Sequence, residues 1–123
     1  MYIIAGRFKG RRLFFPPMPV IAGKIRRKPG EKTLRPTTSL VRRALFDILA
    51  PIISDSSFLD LYAGTGAVGL EAVSRGAGKV ILVESNPKTA LCLKQNLELI
   101  RAAAKKEGDE IAEENLIFYP YFP

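Results

Sequence analysis

The stretch FLDLYAGTGAVGLEA, residues 58–72, constrains this chain more than any other. Gly64, Gly66 and Gly69 stand in the spacing G-x-G-x-x-G behind a short apolar run and ahead of a helix-forming segment. Glycine lets a backbone turn tightly and approach a ligand, and a helix N-terminus beyond the turn offers unpaired N–H groups. Such a unit predicts a nucleotide-type site at the carboxyl end of a parallel strand. Glu84 follows Gly64 by twenty positions, at the end of KVILVE, where a carboxylate can accept hydrogen bonds from ribose hydroxyls.

The flanking pattern supplies the rest of such a fold. Phe58 to Tyr62 reads as a strand, and the helix after the loop runs from about Ala67 to Arg75, where Gly76 can cap it. Lys79 to Glu84 is a β-branched strand of the buried type. Asn86 and Pro87 form an N-cap and first-turn pair, and the helix they start carries Ala90, Leu93, Leu97 and Ile100 toward a core. ENLIFY, 114–119, is a third strand. This order predicts an α/β fold, the first half of a doubly wound, Rossmann-like sheet with its three strands side by side.

Upstream, Leu40, Val41, Ala44, Leu45, Ile48 and Leu49 make one apolar stripe of a helix that Pro36 with Thr37 or Thr38 introduces and Pro51 stops. Arg42 and Arg43 point off that stripe. Tyr2 to Ala5 and Arg11 to Phe15 read as a hairpin, with Gly6 and Gly10 bounding its connection.

Charge is distributed unevenly. Residues 1–43 hold twelve Lys or Arg against Glu31 alone, a net +11, while residues 44–123 hold seven against eleven acids, a net −4. A basic arm on a near-neutral body is the footprint of a protein that neutralises phosphates. Arg7, Lys9, Arg11, Arg12, Arg26, Arg27 and Lys28 are the candidate RNA contacts. Pro16, Pro17, Pro19, Gly23, Pro29 and Gly30 break residues 16–34 into loop, so the cluster around 24–28 is expected on a mobile arm. The chain thus divides into a basic hairpin and arm, residues 1–36, and a sheet domain, residues 37–123. With no histidine and only Cys92, the sequence excludes imidazole catalysis, an internal disulfide and a Cys/His metal site. No metal and no membrane contact are expected, and a reduced cytoplasm is the natural compartment.

A glycine loop with a downstream acid fits NAD as well as other adenosine cofactors. Asp60 discriminates, because it lies inside the strand four residues before the first glycine, where a pyrophosphate has no use for a negative charge. A carboxylate there suits a ligand with positive groups, such as the amino and sulfonium charges of S-adenosylmethionine. A nicotinamide-dependent oxidoreductase is correspondingly disfavoured.

Four blocks in order, MYIIAGRFKGRRL, LRPTTSLVRRALFDIL, FLDLYAGTGAVGLEAVSRGA and VILVESNP, resemble the RsmD family. These are methyltransferases that modify the exocyclic N2 of a guanine in small-subunit ribosomal RNA. The likeness covers about residues 1–100 and implies an S-adenosylmethionine-dependent fold with an N-terminal β-hairpin extension that helps hold RNA. It implies that Asp60, Tyr62, Gly64, Thr65 and Gly66 form the cofactor loop and that Glu84 is the ribose-binding acid. Arg35, Pro36 and Thr37 would border the methionine end. The chain departs from the family at Ser39 and Arg43, where an acid is frequent.

The family also carries an Asp/Asn-Pro-Pro-Phe/Tyr motif after a fourth strand, which grips the target amine and stacks on the extruded base. These 123 residues do not contain it, and YPYFP at 119–123 follows the third strand. No catalytic residue is therefore assigned, and the chain alone is expected to bind cofactor weakly without turnover. Two readings stay open: the front half of an RNA guanine-N2 methyltransferase acting on ribosomal RNA or the small subunit, or a non-catalytic RNA-binding module with a vestigial cofactor loop.

Overall fold

A computed structural model describes residues 1–16, 20–21, 24–25 and 37–120. Arg26, Arg27, Lys28, Arg35, Pro36 and the last three residues of YPYFP lie outside them.

Three parallel strands form the central sheet: β3 (Ser57–Asp60), β4 (Lys79–Glu84) and β5 (Leu116–Pro120), in the order β3-β4-β5. Two further strands, β1 (Val20–Ile21) and β2 (Lys24–Ile25), pair antiparallel in a two-residue ladder. The expectation of unbroken loop across 16–34 is corrected there. The prolines and glycines punctuate the segment, but none occupies the four positions that pair.

Helix α1 (Ser39–Leu49) precedes β3, α2 (Ala67–Ser74) links β3 to β4, and α3 (Pro87–Lys106) links β4 to β5. Both crossovers step the same way along the sheet, so right-handed connections put α2 and α3 on one face. Phe58, Val80, Leu82 and Leu116 point to that face, and the last three are buried there. Phe46 of α1 stacks on Phe58 at 6.0 Å between ring centroids, so α1 covers the same face. The opposite face, with Leu59, Ile81 and Ile117 in register, is covered by no helix among the described residues. Leu59 is 57% exposed as a result.

Local chemistry sets the boundaries. Thr38 caps α1 by accepting from the Val41 N–H, and Asn86 caps α3 by accepting from Lys88 and Thr89 with Pro87 in the first turn. Gly69 packs α2 tightly on the sheet: a Cβ there would lie 2.1 Å from a Leu82 methyl. Ala90, Leu93, Leu97 and Ile100 are all buried, as the helical spacing predicts.

Two expectations change. Only part of the apolar stripe of α1 faces the core: Leu45 and Leu49 pack against it, Leu40, Val41, Ala44 and Ile48 are exposed, and the fully buried side chains are Arg42 and Phe46. Arg42 is inside because its guanidinium donates to the Tyr2 carbonyl and lies 3.7 Å from the buried Glu71 carboxylate. The N-terminal hairpin is also reduced to a single antiparallel bridge, Tyr2 with Arg12. Turns from Gly6 to Lys9 and from Phe8 to Arg11 consume the middle of the segment, and the N–H groups of Ile4 and Ala5 donate to Glu71 rather than to a partner strand. Ile3, Phe8 and Leu13 still enter the same core as the sheet and helices.

Candidate functional site: a glycine loop between two carboxylates

The loop after β3 is bent by glycine at two points, Gly64 at φ +57° and Gly66 at φ +87°. Ala63 N–H donates to the Val83 carbonyl at 2.9 Å and Gly66 N–H to the Ala63 carbonyl at 2.8 Å, so the turn closes over the end of β4. Gly66 then serves as N-cap of α2 with no side-chain cap, which leaves first-turn N–H groups for a ligand.

Glu84, at the end of β4, holds the loop from the other side. One oxygen accepts from Gly64 N–H at 2.6 Å and the other from Asn86 N–H at 2.9 Å. A carboxylate offers about four lone-pair directions, so each oxygen keeps one for a hydroxyl. The acid predicted from spacing therefore meets the loop directly.

Asp60 ends β3, next to β4, and accepts from Tyr62 N–H at 3.2 Å. Burial raises its carboxyl above the usual range, the Tyr62 hydrogen bond opposes that, and the Glu84 charge adds to it. Asp60 and Glu84 thus form a negative pair around the loop. Tyr62 is 92% exposed at its rim, whereas Thr65 is buried. Thr37 is exposed just ahead of α1, and no hydrogen bond among the described residues joins it to the loop.

The basic candidates separate into two kinds. Arg7 is ion-paired with Glu107 at 3.1 Å and Asp109 at 3.3 Å, and its guanidinium lies over Phe8. Arg11 reaches Glu107 at 4.0 Å. Lys9 and Arg12 are exposed, with no ion pair among the described residues. Glu107 and Asp109, just beyond the C-terminus of α3, therefore neutralise part of the N-terminal charge, and the Arg7–Glu107 pairing, 100 positions apart, is one that local reading misses. No cluster of His, Cys, Asp and Glu suited to a metal, and no helix long and apolar enough to cross a membrane, occurs among the described residues.

Sequence reasoning also passed over Asn96, Glu71 and Ser74, three buried polar side chains that fasten the N-terminal segment. A polar residue inside an otherwise apolar helical face was the available signal.

The family described as "Conserved hypothetical protein 95" matches residues 1–120. The chain belongs to that family. Among its relatives, Ribosomal RNA small subunit methyltransferase D of Escherichia coli strain K12 is 42% identical over 100 residues, 81% of this chain and 44% of the relative. The protein of the same name from Haemophilus influenzae is 36% identical over 116 residues, 94% of this chain and 53% of the relative. The solved structure of yhhF from Escherichia coli superposes with a TM-score of 0.69 at 34% identity, covering 99% of this chain and 53% of that one. The chain spans about half the length of the relatives it matches, and within that span the family's Rossmann-like sheet is in place.

Proposed function

We propose that the glycine loop, Asp60 and Glu84 hold S-adenosylmethionine, and that the whole protein uses it to methylate the exocyclic N2 of a guanine in small-subunit ribosomal RNA. The observation that carries this reading is the pair of carboxylates at adjacent strand ends, flanking a loop bent by Gly64 and Gly66. The names of the family relatives support the ribosomal RNA substrate. When bound, the cofactor supplies a methyl group on a positively charged sulfur, ready for transfer to a nitrogen lone pair.

The chain's own residues bind and orient. Glu84 accepts from the ribose diol while keeping its bonds to Gly64 and Asn86, and Asp60 places negative charge beside the cationic end. The backbone of Gly64, Thr65 and Gly66 admits the nucleoside closely, Tyr62 covers it from the rim, and Arg35 and Thr37 border the methionine end. Lys9 and Arg12, with Arg26, Arg27 and Lys28 on the arm, take the RNA phosphates. Arg7 and Arg11 join them by exchanging Glu107 and Asp109 for phosphate.

The direct test is transfer of radiolabelled methyl to under-modified small subunits by this chain extended through the matching C-terminal part of the Escherichia coli relative. Label recovered on a guanine N2 is the expected result. RNA binding without transfer would favour the non-catalytic module instead. In the same chain, Glu84→Ala should weaken S-adenosylmethionine by about 1 to 3 kcal/mol through lost charge-assisted bonds, which calorimetry reads directly.

Asp60 gives a pH signature. A group whose folded pKa is raised holds its proton more tightly in the folded chain, so its contribution to stability is present at low pH and is lost as pH rises through the folded value. A cation placed beside it reverses the preference. Cofactor binding should therefore release a proton between the ordinary aspartate range and the raised value, and affinity should climb with pH across that window. Calorimetry in buffers of different ionisation enthalpy measures the release, and Asp60→Asn should abolish it.

RNA affinity should fall log-linearly with salt if the arm neutralises phosphates. Reversing the charges of Lys9 and Arg12 should flatten the slope by about two, near one per lost phosphate contact. An unchanged slope would remove these residues from the interface.

A further inference from the structure

Asn96 lies in the middle of α3, fully buried, and its side chain touches two segments far apart in sequence. Its Oδ1 accepts from Phe14 N–H at 2.6 Å, and its Nδ2 donates to the Phe14 carbonyl at 3.0 Å and to the Thr65 carbonyl at 2.8 Å. The amide orientation is fixed by these partners, since a flipped group would set oxygen against two carbonyls and nitrogen against an N–H. Among the described residues, no other side chain hydrogen-bonds to both the N-terminal segment and the glycine loop.

The two ends of this bridge matter. Thr65 stands between Gly64 and Gly66, inside the turn that faces the ligand. Phe14 directly follows the buried Leu13 and lies two residues beyond Arg12, in the N-terminal segment that also carries Lys9. Both Nδ2 protons are in use, so a shift of the Thr65 carbonyl strains the Phe14 bond, and fixing one end tightens the other.

We propose that Asn96 is a positioning residue that couples the glycine loop to the N-terminal segment carrying Lys9 and Arg12, so that cofactor on the loop and RNA on that segment strengthen each other's binding. This rests on the reading of the loop as a cofactor site. Coupling of this kind is reciprocal: whatever factor RNA contributes to cofactor affinity, cofactor contributes to RNA affinity. An asparagine is required, because aspartate at 96 would present only acceptors to two carbonyls, and leucine would leave all three backbone groups without their partner.

Amide hydrogen exchange with S-adenosylhomocysteine as the probe separates the two ideas. In the wild-type chain the probe should slow exchange at Gly64 and Gly66 and also at Phe14, whose N–H points at Asn96 and not at the ligand loop. In Asn96→Asp and Asn96→Leu, protection should remain on the loop and vanish at Phe14. A small-subunit ribosomal RNA fragment should tighten the probe about fivefold or more in the wild type and leave it unchanged in both variants. A merely structural role for Asn96 would lower stability without moving this ratio. Protection confined to the loop in the wild type would overturn the coupling while the cofactor site stood. No protection on the loop at all would overturn the cofactor reading, and this inference with it. The wild-type measurement decides even where a variant does not fold.

Discussion

Glu71→Ala should destabilise the protein by about 3 to 5 kcal/mol, the cost of leaving a buried charge without its partner. Glu71 is the hub of the N-terminal contact: its two oxygens accept from Ile4 N–H at 2.9 Å, Ala5 N–H at 3.0 Å and the Arg75 guanidinium at 2.9 Å. Arg42, which is fully buried, faces it at 3.7 Å. Burial pulls the Arg42 pKa down and the Glu71 charge opposes that pull, so removing the acid leaves the guanidinium exposed to the whole desolvation penalty. Two nitrogens of Arg42 already have no hydrogen-bond partner among the described residues. Replacing both residues together, Arg42→Met with Glu71→Leu, should recover part of the loss, because an apolar pair of similar volume carries no stranded charge. Denaturant unfolding checks the order: the single acid variant should be weaker than the double. Equal stability of Glu71→Ala and wild type would mean that the cluster contributes nothing.

The second large effect is expected at Gly6. It sits at φ +82°, and a Cβ there would lie 2.0 Å from the Ser74 carbonyl oxygen, which is backbone and cannot rotate away. Around this point Arg7 N–H donates to the Ser74 carbonyl, Phe8 N–H donates to the Ser74 hydroxyl, and that hydroxyl donates to the Ala5 carbonyl. Gly6→Ala must therefore lift the segment off α2 and draw Phe8 and Ile3 from the core. The expected loss is about 3 to 5 kcal/mol, the range for removing a large buried side chain. Gly10 is the control, since it shares the φ of +82° but has nothing within 4 Å of its Cβ position. Gly10→Ala should show backbone strain alone, about 1 to 3 kcal/mol. If the segment undocks, the denaturant slope should change for Gly6→Ala and not for Gly10→Ala. Equal losses would show that the close approach to Ser74 is not what fixes Gly6.

What the sequence made legible was the part governed by local rules. Gly64, Gly66 and Gly69 with their strand and helix, the span of KVILVE, the Asn86–Pro87 start and the inward face of α3 all follow from turn geometry, capping and period. The spacing marked Glu84 as an acid belonging to the glycine loop, although its bond to Gly64 was not legible. What escaped depended on long-range pairing. Hydrophobicity alone put Leu40 and Ile48 inside and Arg42 outside, and the order inverted because a carboxylate 29 positions away neutralises Arg42. The hairpin shrank to a bridge because Glu71, not a second strand, takes the N–H groups of Ile4 and Ala5. Arg7 looked free for phosphate until α3 brought Glu107 beside it.

In the proposed function, the loop between Asp60 and Glu84 recognises a nucleoside carrying a positive charge rather than a dinucleotide. Calorimetric titration of the chain with S-adenosylmethionine and, separately, with NAD tests it most directly. S-adenosylmethionine should bind, with proton release at pH values between the ordinary aspartate range and the raised Asp60 value, Glu84→Ala should weaken it, Asp60→Asn should remove the release, and NAD should give no heat of binding. Saturable binding of NAD with no response to S-adenosylmethionine would contradict it.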